Sequence, residues 1–216
     1  AEEVVRLLVD SQEADGSFNP LHLVDEGLAP AALAATALER PEWNELILPS
    51  LDRYFQRCYE LSNNPYGILQ CSPEDYFFNY KTPETWYVGQ NSMYLSQAWA
   101  AALYARLSGD RQALRHAQDQ IDWVLGRNPY GICMMEGVGT VHTPRYHHRY
   151  DALPGHETGA VPGAVTNGIV RQSPELDAPY YDLRTDMRTA YQTNEPWIPH
   201  NAYYLLAVAA LWNVGQ

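Results

Sequence analysis

Apolar side chains recur every three or four residues in several segments of this chain, and that spacing predicts α-helices. Such patterns occupy residues 2–12, 28–40, 91–109, 110–127 and 200–214. Residues 42–62 follow the same spacing, but Pro49 interrupts them. Because proline is favoured at a helix start, a helix is predicted only over 49–62. The last helix, 200–214, is apolar nearly all round, which predicts that it is buried.

The helical pattern stops between residues 128 and 199. This interval contains four of the seven histidines and several turns bounded by proline. A long irregular stretch within a helical domain is usually either functional or disordered. Its aromatic and histidine content argues against disorder, so the interval is the place to search for a site.

A short repeat separates some of the helices. The letters NPYGI occur at 64–68 and again at 128–132, each time just after a predicted helix. We interpret the repeat as a recurring turn that ends a helix, which favours a set of similar helical hairpins.

Charge and composition exclude several classes of protein. A formal charge of −12 argues against a nucleic-acid partner, whose phosphates require a basic surface. The chain also lacks an apolar run of about 18–20 residues, so no membrane-spanning helix is predicted. Cys58, Cys71 and Cys133 show no zinc spacing and leave the redox compartment undecided.

The content of sixteen tyrosines and six tryptophans favours a carbohydrate-binding function. Flat aromatic rings stack on the CH-rich faces of sugars, although about half of these residues are expected to be plain core.

Two spaced motifs lie in the irregular interval. The first is in the basic and aromatic stretch TPRYHHRYD, where His147 and Arg149 follow a pair of glycines, Gly137 and Gly139, at fixed spacing. The second runs from an aspartate to a glutamate nine residues later and an asparagine six residues beyond that; its members are Asp186, Tyr191, Glu195 and Asn201.

In order and spacing, these motifs resemble those of glycoside hydrolase family 9, the family of many cellulases. The resemblance extends over residues 44–216, with Tyr146 standing where the family usually has proline or leucine. It implies an all-α fold, about half of an (α/α)6 toroid with long active-site loops. The family's paired-aspartate motif, which holds the catalytic base, has no counterpart here. Residues 1–216 are therefore expected to be the C-terminal part of one catalytic domain, with its N-terminal part as the missing partner.

The resemblance also assigns roles to individual residues. Glu195 matches the general acid, and Pro196 and Trp197 beside it are expected to desolvate it and raise its pKa. Asp186 would organise the site and pair with Arg149. The remaining candidates are substrate-binding residues that donate hydrogen bonds to sugar hydroxyls or stack on sugar rings: His147, Arg149, Tyr191, Trp197, His200, Trp86 and Tyr87. His148 is expected to be a packing residue.

The implied activity is inverting hydrolysis of β-1,4-glycosidic bonds in a polysaccharide or its oligosaccharides. The sequence does not distinguish three possible substrates: cellulose, another β-glucan, and glucosamine oligosaccharides that are hydrolysed from the chain end. The alternative is a non-catalytic carbohydrate-binding or scaffold fragment of a decayed barrel. No cofactor is expected and no metal, because His142, His156 and His200 follow no usual ligand spacing. A polymeric substrate favours a secreted or periplasmic protein, with the cytoplasm as the alternative.

Overall fold

The structure is a computed structural model that describes residues 2–18, 25–70, 77–78, 89–185 and 190–214. Three of the candidate site residues, Trp86, Tyr87 and Asp186, lie outside the described residues. The helices are α1 (Glu2–Asp10), α2 (Leu28–Glu39), α3 (Asn44–Leu61), α4 (Asn91–Ser108), α5 (Arg111–Val124), α6 (Tyr191–Asn194) and α7 (Ile198–Trp212). The predicted helices are therefore confirmed, with shifts of one to three residues at most of their ends.

The chain divides into two compact units. The first, called the helical unit, contains residues 1–69, 93–121 and 203–216. The second, called the site unit, contains residues 70–92 and 122–202.

The core of the helical unit includes an apolar stripe of α3 and the aromatic rings around it. Phe55 stacks on Tyr104 of α4 with ring centroids 4.5 Å apart and planes 14° from parallel. The prediction that the helix begins at Pro49 is wrong, because α3 starts at Asn44. Ile47 is fully buried on the same stripe as Leu51, so burial of its side chain supports helix on both sides of the proline.

The two NPYGI segments form the same turn, as their repetition predicted. In each, the side-chain oxygen of the asparagine accepts a hydrogen bond from the backbone N–H of the tyrosine, at 3.2 Å for Asn64 and 3.1 Å for Asn128. The asparagine Nδ2 donates to the carbonyl of the isoleucine in both turns. Gly67 and Gly131 have φ of +68° and +59°, a conformation that glycine adopts without steric cost.

The site unit is mostly irregular, in agreement with the loss of helical pattern between 128 and 199. In its described part, regular structure beyond α6 and the helix ends is confined to two short strands and a 3₁₀ turn. The strands are β1 (Val170–Arg171) and β2 (Pro179–Tyr180), which pair antiparallel, and the turn spans Arg149–Ala152. Isolated bridges link neighbouring loops, such as Met135 to Val165. Loop-to-loop hydrogen bonds therefore fix much of this unit.

Helix α7 is only partly buried, so the prediction that the whole helix is buried is wrong. Its buried stripe consists of His200, Tyr203, Ala207 and Ala210. The opposite side carries large apolar side chains in contact with solvent: Ile198 (86% exposed), Leu205 (66%), Leu206 (41%), Val208 (39%) and Trp212 (76%). The helix thus has a second apolar face that nothing in the described chain covers.

Among the residues described, no helix combines the length and the apolar character that a membrane crossing requires.

Candidate active site

A cavity of about 700 Å³ opens in the site unit, between the His147 loop and the chain just after α6. Its walls bring together three of the predicted site residues, namely His147, Arg149 and Glu195. The other residues that line it are His148, Tyr150, Asp151 and Pro196. The two sequence motifs, almost 50 residues apart along the chain, therefore contribute to the same cavity.

Glu195 is held by its backbone and has its side chain free for chemistry. It follows α6 in an extended conformation, with φ −80° and ψ 124°. Its carbonyl accepts a hydrogen bond from the Asn167 N–H at 2.9 Å, and Pro196 bridges to Thr166. The half-buried carboxylate accepts no hydrogen bond from a described residue. It is therefore available to a group that enters the cavity.

Asn167 is the buried centre of this arrangement, although no sequence pattern indicates its role. Its side-chain Nδ2 donates to the Tyr191 carbonyl at 2.6 Å, and its Oδ1 lies 2.8 Å from His200 Nε2. Together with its backbone bond to Glu195, it joins Tyr191 and Glu195, the two middle members of the second motif. The neighbouring Gly168 has φ +102°, and a Cβ there would lie 2.5 Å from the Asn91 side chain, so glycine is required.

His200 was predicted to line the sugar pocket, but it is not among the residues that line the cavity. Its side chain is fully buried, and its ring stacks on that of Trp197 with centroids 5.9 Å apart and planes 10° from parallel. Burial lowers the pKa of His200 to about 3, so the imidazole is neutral near pH 7. We therefore interpret it as a residue that positions Trp197 and Asn167. Trp197 itself is partly exposed, and its role as a stacking platform stays a prediction.

The His147 loop is fastened to α6 by Asn194. The His147 N–H donates to the Asn194 carbonyl at 3.1 Å. The buried Asn194 side chain donates in turn to the carbonyls of Arg145 and Asp182, each at 2.9 Å. Tyr191, predicted as a substrate-binding residue, packs its ring against that of His147 at 6.1 Å and is absent from the cavity walls.

An ion pair closes the loop that presents His147 and Arg149. Arg145 Nη2 lies 3.5 Å from Asp151 Oδ2, and both side chains are largely buried. Arg149, by contrast, is exposed and has no carboxylate partner among the described residues. Its predicted partner Asp186 lies outside them.

Two other loop residues have clear roles. Tyr146 is buried, and its hydroxyl donates to the Glu136 carboxylate; burial and that carboxylate raise the pKa of Tyr146. His148 caps the 3₁₀ turn by accepting the Tyr150 N–H at its Nδ1, 3.3 Å away. His148 also lines the cavity, so the prediction of a packing residue describes only part of its role.

This geometry agrees with the comparison to known proteins. Residues 27–208 match the family model for glycosyl hydrolase family 9. The chain belongs to this family. Among its relatives, Endoglucanase 14 of Arabidopsis thaliana is 31% identical over 155 residues, which cover 62% of this chain and 31% of that protein. A xyloglucan-specific endo-beta-1,4-glucanase of Bacteroides ovatus is 29% identical over 117 residues, 50% of this chain and 19% of that one.

Solved structures of family 9 members share the fold. The cellulase Cel9M of C. cellulolyticum superposes with a TM-score of 0.64 at 17% identity, covering 97% of this chain and 44% of that one. A metagenome-derived family 9 endoglucanase gives a TM-score of 0.52 at 27% identity, over 76% of this chain and 29% of that one. These structures are (α/α)6 barrels, which confirms the predicted class. The chain spans less than half the length of the proteins named here.

Proposed function

We propose that this chain contributes the general acid and one wall of the sugar-binding cleft of an inverting β-1,4-glycoside hydrolase. The observation that carries the proposal is that the Glu195 carboxylate, which accepts no hydrogen bond from a described residue, lines the same cavity as His147 and Arg149. A carboxyl group without a fixed hydrogen-bond partner, flanked by a strong cationic donor and an imidazole, suits proton transfer to a bound polyhydroxyl compound.

In the proposed reaction, protonated Glu195 gives its proton to the glycosidic oxygen as the bond from that oxygen to the anomeric carbon breaks. A water molecule attacks the opposite face of the anomeric carbon and loses its proton to a second carboxylate. In inverting enzymes the two carboxyl groups lie about 6.5–9.5 Å apart, which leaves room for this water. We assign no described residue as that base and place it on a part of the family 9 domain that this chain does not span.

His147 and Arg149 would hold the sugar during this step. The guanidinium of Arg149 can donate two hydrogen bonds to neighbouring hydroxyls, and His147 can donate or accept one. Such bonds favour catalysis if they strengthen as positive charge develops at the anomeric carbon. Asp186 is proposed to complete this group of polar residues.

The substrate we propose is a β-1,4-glucan or its oligosaccharides. The named relatives support it, because they are endoglucanases, one of them specific for xyloglucan. Hydrolysis of glucosamine oligosaccharides from the chain end is the second substrate to be assayed. Since a polymeric glucan lies outside the cell, we propose a secreted or periplasmic location.

The experiment is to compare the full natural polypeptide with its Glu195→Gln variant on carboxymethylcellulose, xyloglucan and glucosamine oligosaccharides. Loss of the acid should lower kcat by about 10²–10⁴-fold on natural glycans. The loss should be smaller on aryl glycosides, whose leaving groups need little protonation. Glu175→Gln is the matched control, because Glu175 is exposed and distant from the cavity walls.

Two results would contradict the proposal. The first is a Glu195→Gln variant that hydrolyses glucan at the normal rate. The second is saturable sugar binding with no turnover in the unaltered protein, which would favour a non-catalytic binding module. Proton NMR of the first product adds an independent check, since inversion requires the α-anomer from a β-linked substrate.

A further inference from the structure

Tyr150 is an aromatic cavity residue that belongs to neither sequence motif. It lies directly after Arg149, and its side chain is 47% exposed although it forms part of the cavity wall that also contains Glu195. Exposed tyrosines are common on protein surfaces. This one differs because it lines the same cavity as the proposed acid.

The ring of Tyr150 is held in place by its neighbours. The rings of His148 and Tyr150 make a T-shaped contact, with centroids 4.6 Å apart and planes at 76°, and the His156 ring lies 6.0 Å from Tyr150. The backbone below it is fixed by the 3₁₀ turn that His148 caps. A ring with few remaining rotamers loses little conformational entropy when a ligand packs on it.

The chemistry of this surface fits a sugar ring. A glucosyl unit with equatorial hydroxyls has two CH-rich faces, which pack on a flat aromatic ring. The Tyr150 hydroxyl forms no hydrogen bond with a described residue, so it can donate to or accept from a sugar hydroxyl. Arg149 and Glu195 supply the charged groups needed next to such a platform.

We infer that Tyr150 is a substrate-contacting residue, a stacking platform for one β-linked glucosyl unit beside the bond that is cleaved. The inference rests on the proposed function and refines it, because it names the residue that selects a flat, equatorial sugar ring. It also explains the partial exposure of an aromatic side chain whose ring is already held by two histidines.

The test uses the full natural polypeptide carrying Glu195→Gln, so that sugar can bind without turnover. Cellotetraose affinity is measured by calorimetry for Tyr150 and for Tyr150→Phe, Tyr150→Leu and Tyr150→Ala. We expect phenylalanine to bind within about twofold of tyrosine, and leucine and alanine to bind about tenfold more weakly. With Glu195 intact, the same variants should raise KM more than they lower kcat. Tyr180→Ala is the control, since Tyr180 is also exposed but lies away from the cavity.

The outcomes separate this inference from the proposed function. If hydrolysis depends on Glu195 but Tyr150→Ala binds cellotetraose like tyrosine, the stacking inference is overturned and the proposed function stands. If the protein binds the sugar through Tyr150 but hydrolyses nothing, the inference stands and the hydrolase proposal fails. An equal loss of affinity in Tyr150→Phe and Tyr150→Ala would also overturn stacking, because both must then act through the hydroxyl.

Discussion

The side-chain oxygen of Asn167 lies 2.8 Å from Nε2 of His200, and neither residue has any solvent-exposed surface. Through this contact, the loop that contains Asn167 is joined to the first turn of α7. The same asparagine bonds the Tyr191 carbonyl and the backbone of Glu195. The position of the proposed acid therefore depends on a buried residue that does not line the cavity.

Replacing Asn167 by alanine should destabilise the protein and impair its activity. The change removes the side chain that bonds both the Tyr191 carbonyl and the buried His200 ring nitrogen, and the loss of a partner costs about 1–3 kcal/mol for each buried group. We expect the free energy of unfolding to fall by about 2–4 kcal/mol, measured by urea denaturation. Asn213→Ala is the control, because Asn213 is exposed just after α7 and, among the described residues, its side chain bonds only the Ala209 carbonyl. Equal effects of the two changes would contradict this role.

The neutral state of His200 makes stability depend on pH. Its pKa is lowered by burial from 6.5 to about 3, so below pH 6.5 the unfolded chain binds a proton that the folded chain excludes. The free energy of unfolding that neutral His200 contributes is fully present above pH 6.5, and it is lost as the pH falls from 6.5 to 3. By pH 5 the loss should be about 2 kcal/mol.

His200→Gln should remove this part of the pH dependence while it lowers stability overall. The measurement is the slope of unfolding free energy between pH 7 and pH 5, where few carboxylates titrate. His116 has its pKa lowered by burial to about 4 and contributes a slope of the same sign, which both proteins keep. An unchanged slope in His200→Gln would show that folding does not lower the pKa of His200.

The sequence predicts the residues that line the cavity better than those that position them. Glu195, His147 and Arg149 could be predicted because the family motifs fix their spacing, and they do line one cavity. Asn167 could not, since its role comes from hydrogen bonds between loops that have no periodic pattern. His200 was placed in the wrong environment for a related reason: helical spacing shows which residues share a face, but not whether that face meets a cavity or the core.

The ion pair between Arg145 and Asp151 should control the shape of the His147 loop. Both groups are largely buried, so Asp151→Asn leaves a buried guanidinium with less compensating charge. Breaking a buried pair in this way costs about 3–5 kcal/mol. We expect the free energy of unfolding to fall by an amount near the lower end of that range. The KM for glucan should rise as well, because Arg149 and Tyr150 lie along the chain between the paired residues.

The control for this change is a pair exposed to solvent. Arg6 and Glu2 on α1 lie 2.8 Å apart with both side chains more than half exposed, so Glu2→Gln should alter stability by at most about 1 kcal/mol. If Asp151→Asn is equally mild, the pair does not hold the loop.

The exposed apolar face of α7 should make the isolated 216-residue chain associate with itself. Leu205 and Trp212 are 66% and 76% exposed, on a helix whose other face is already buried. Contiguous apolar surface of this kind usually marks an interface. Sedimentation velocity over a range of concentrations should show this association. The double change Leu205→Lys and Trp212→Lys should suppress it. The helical circular dichroism should stay unchanged, because neither side chain packs in the core. Ala207→Lys, on the buried stripe of the same helix, should unfold it. A monomeric unaltered chain at every concentration would show that this face needs no partner.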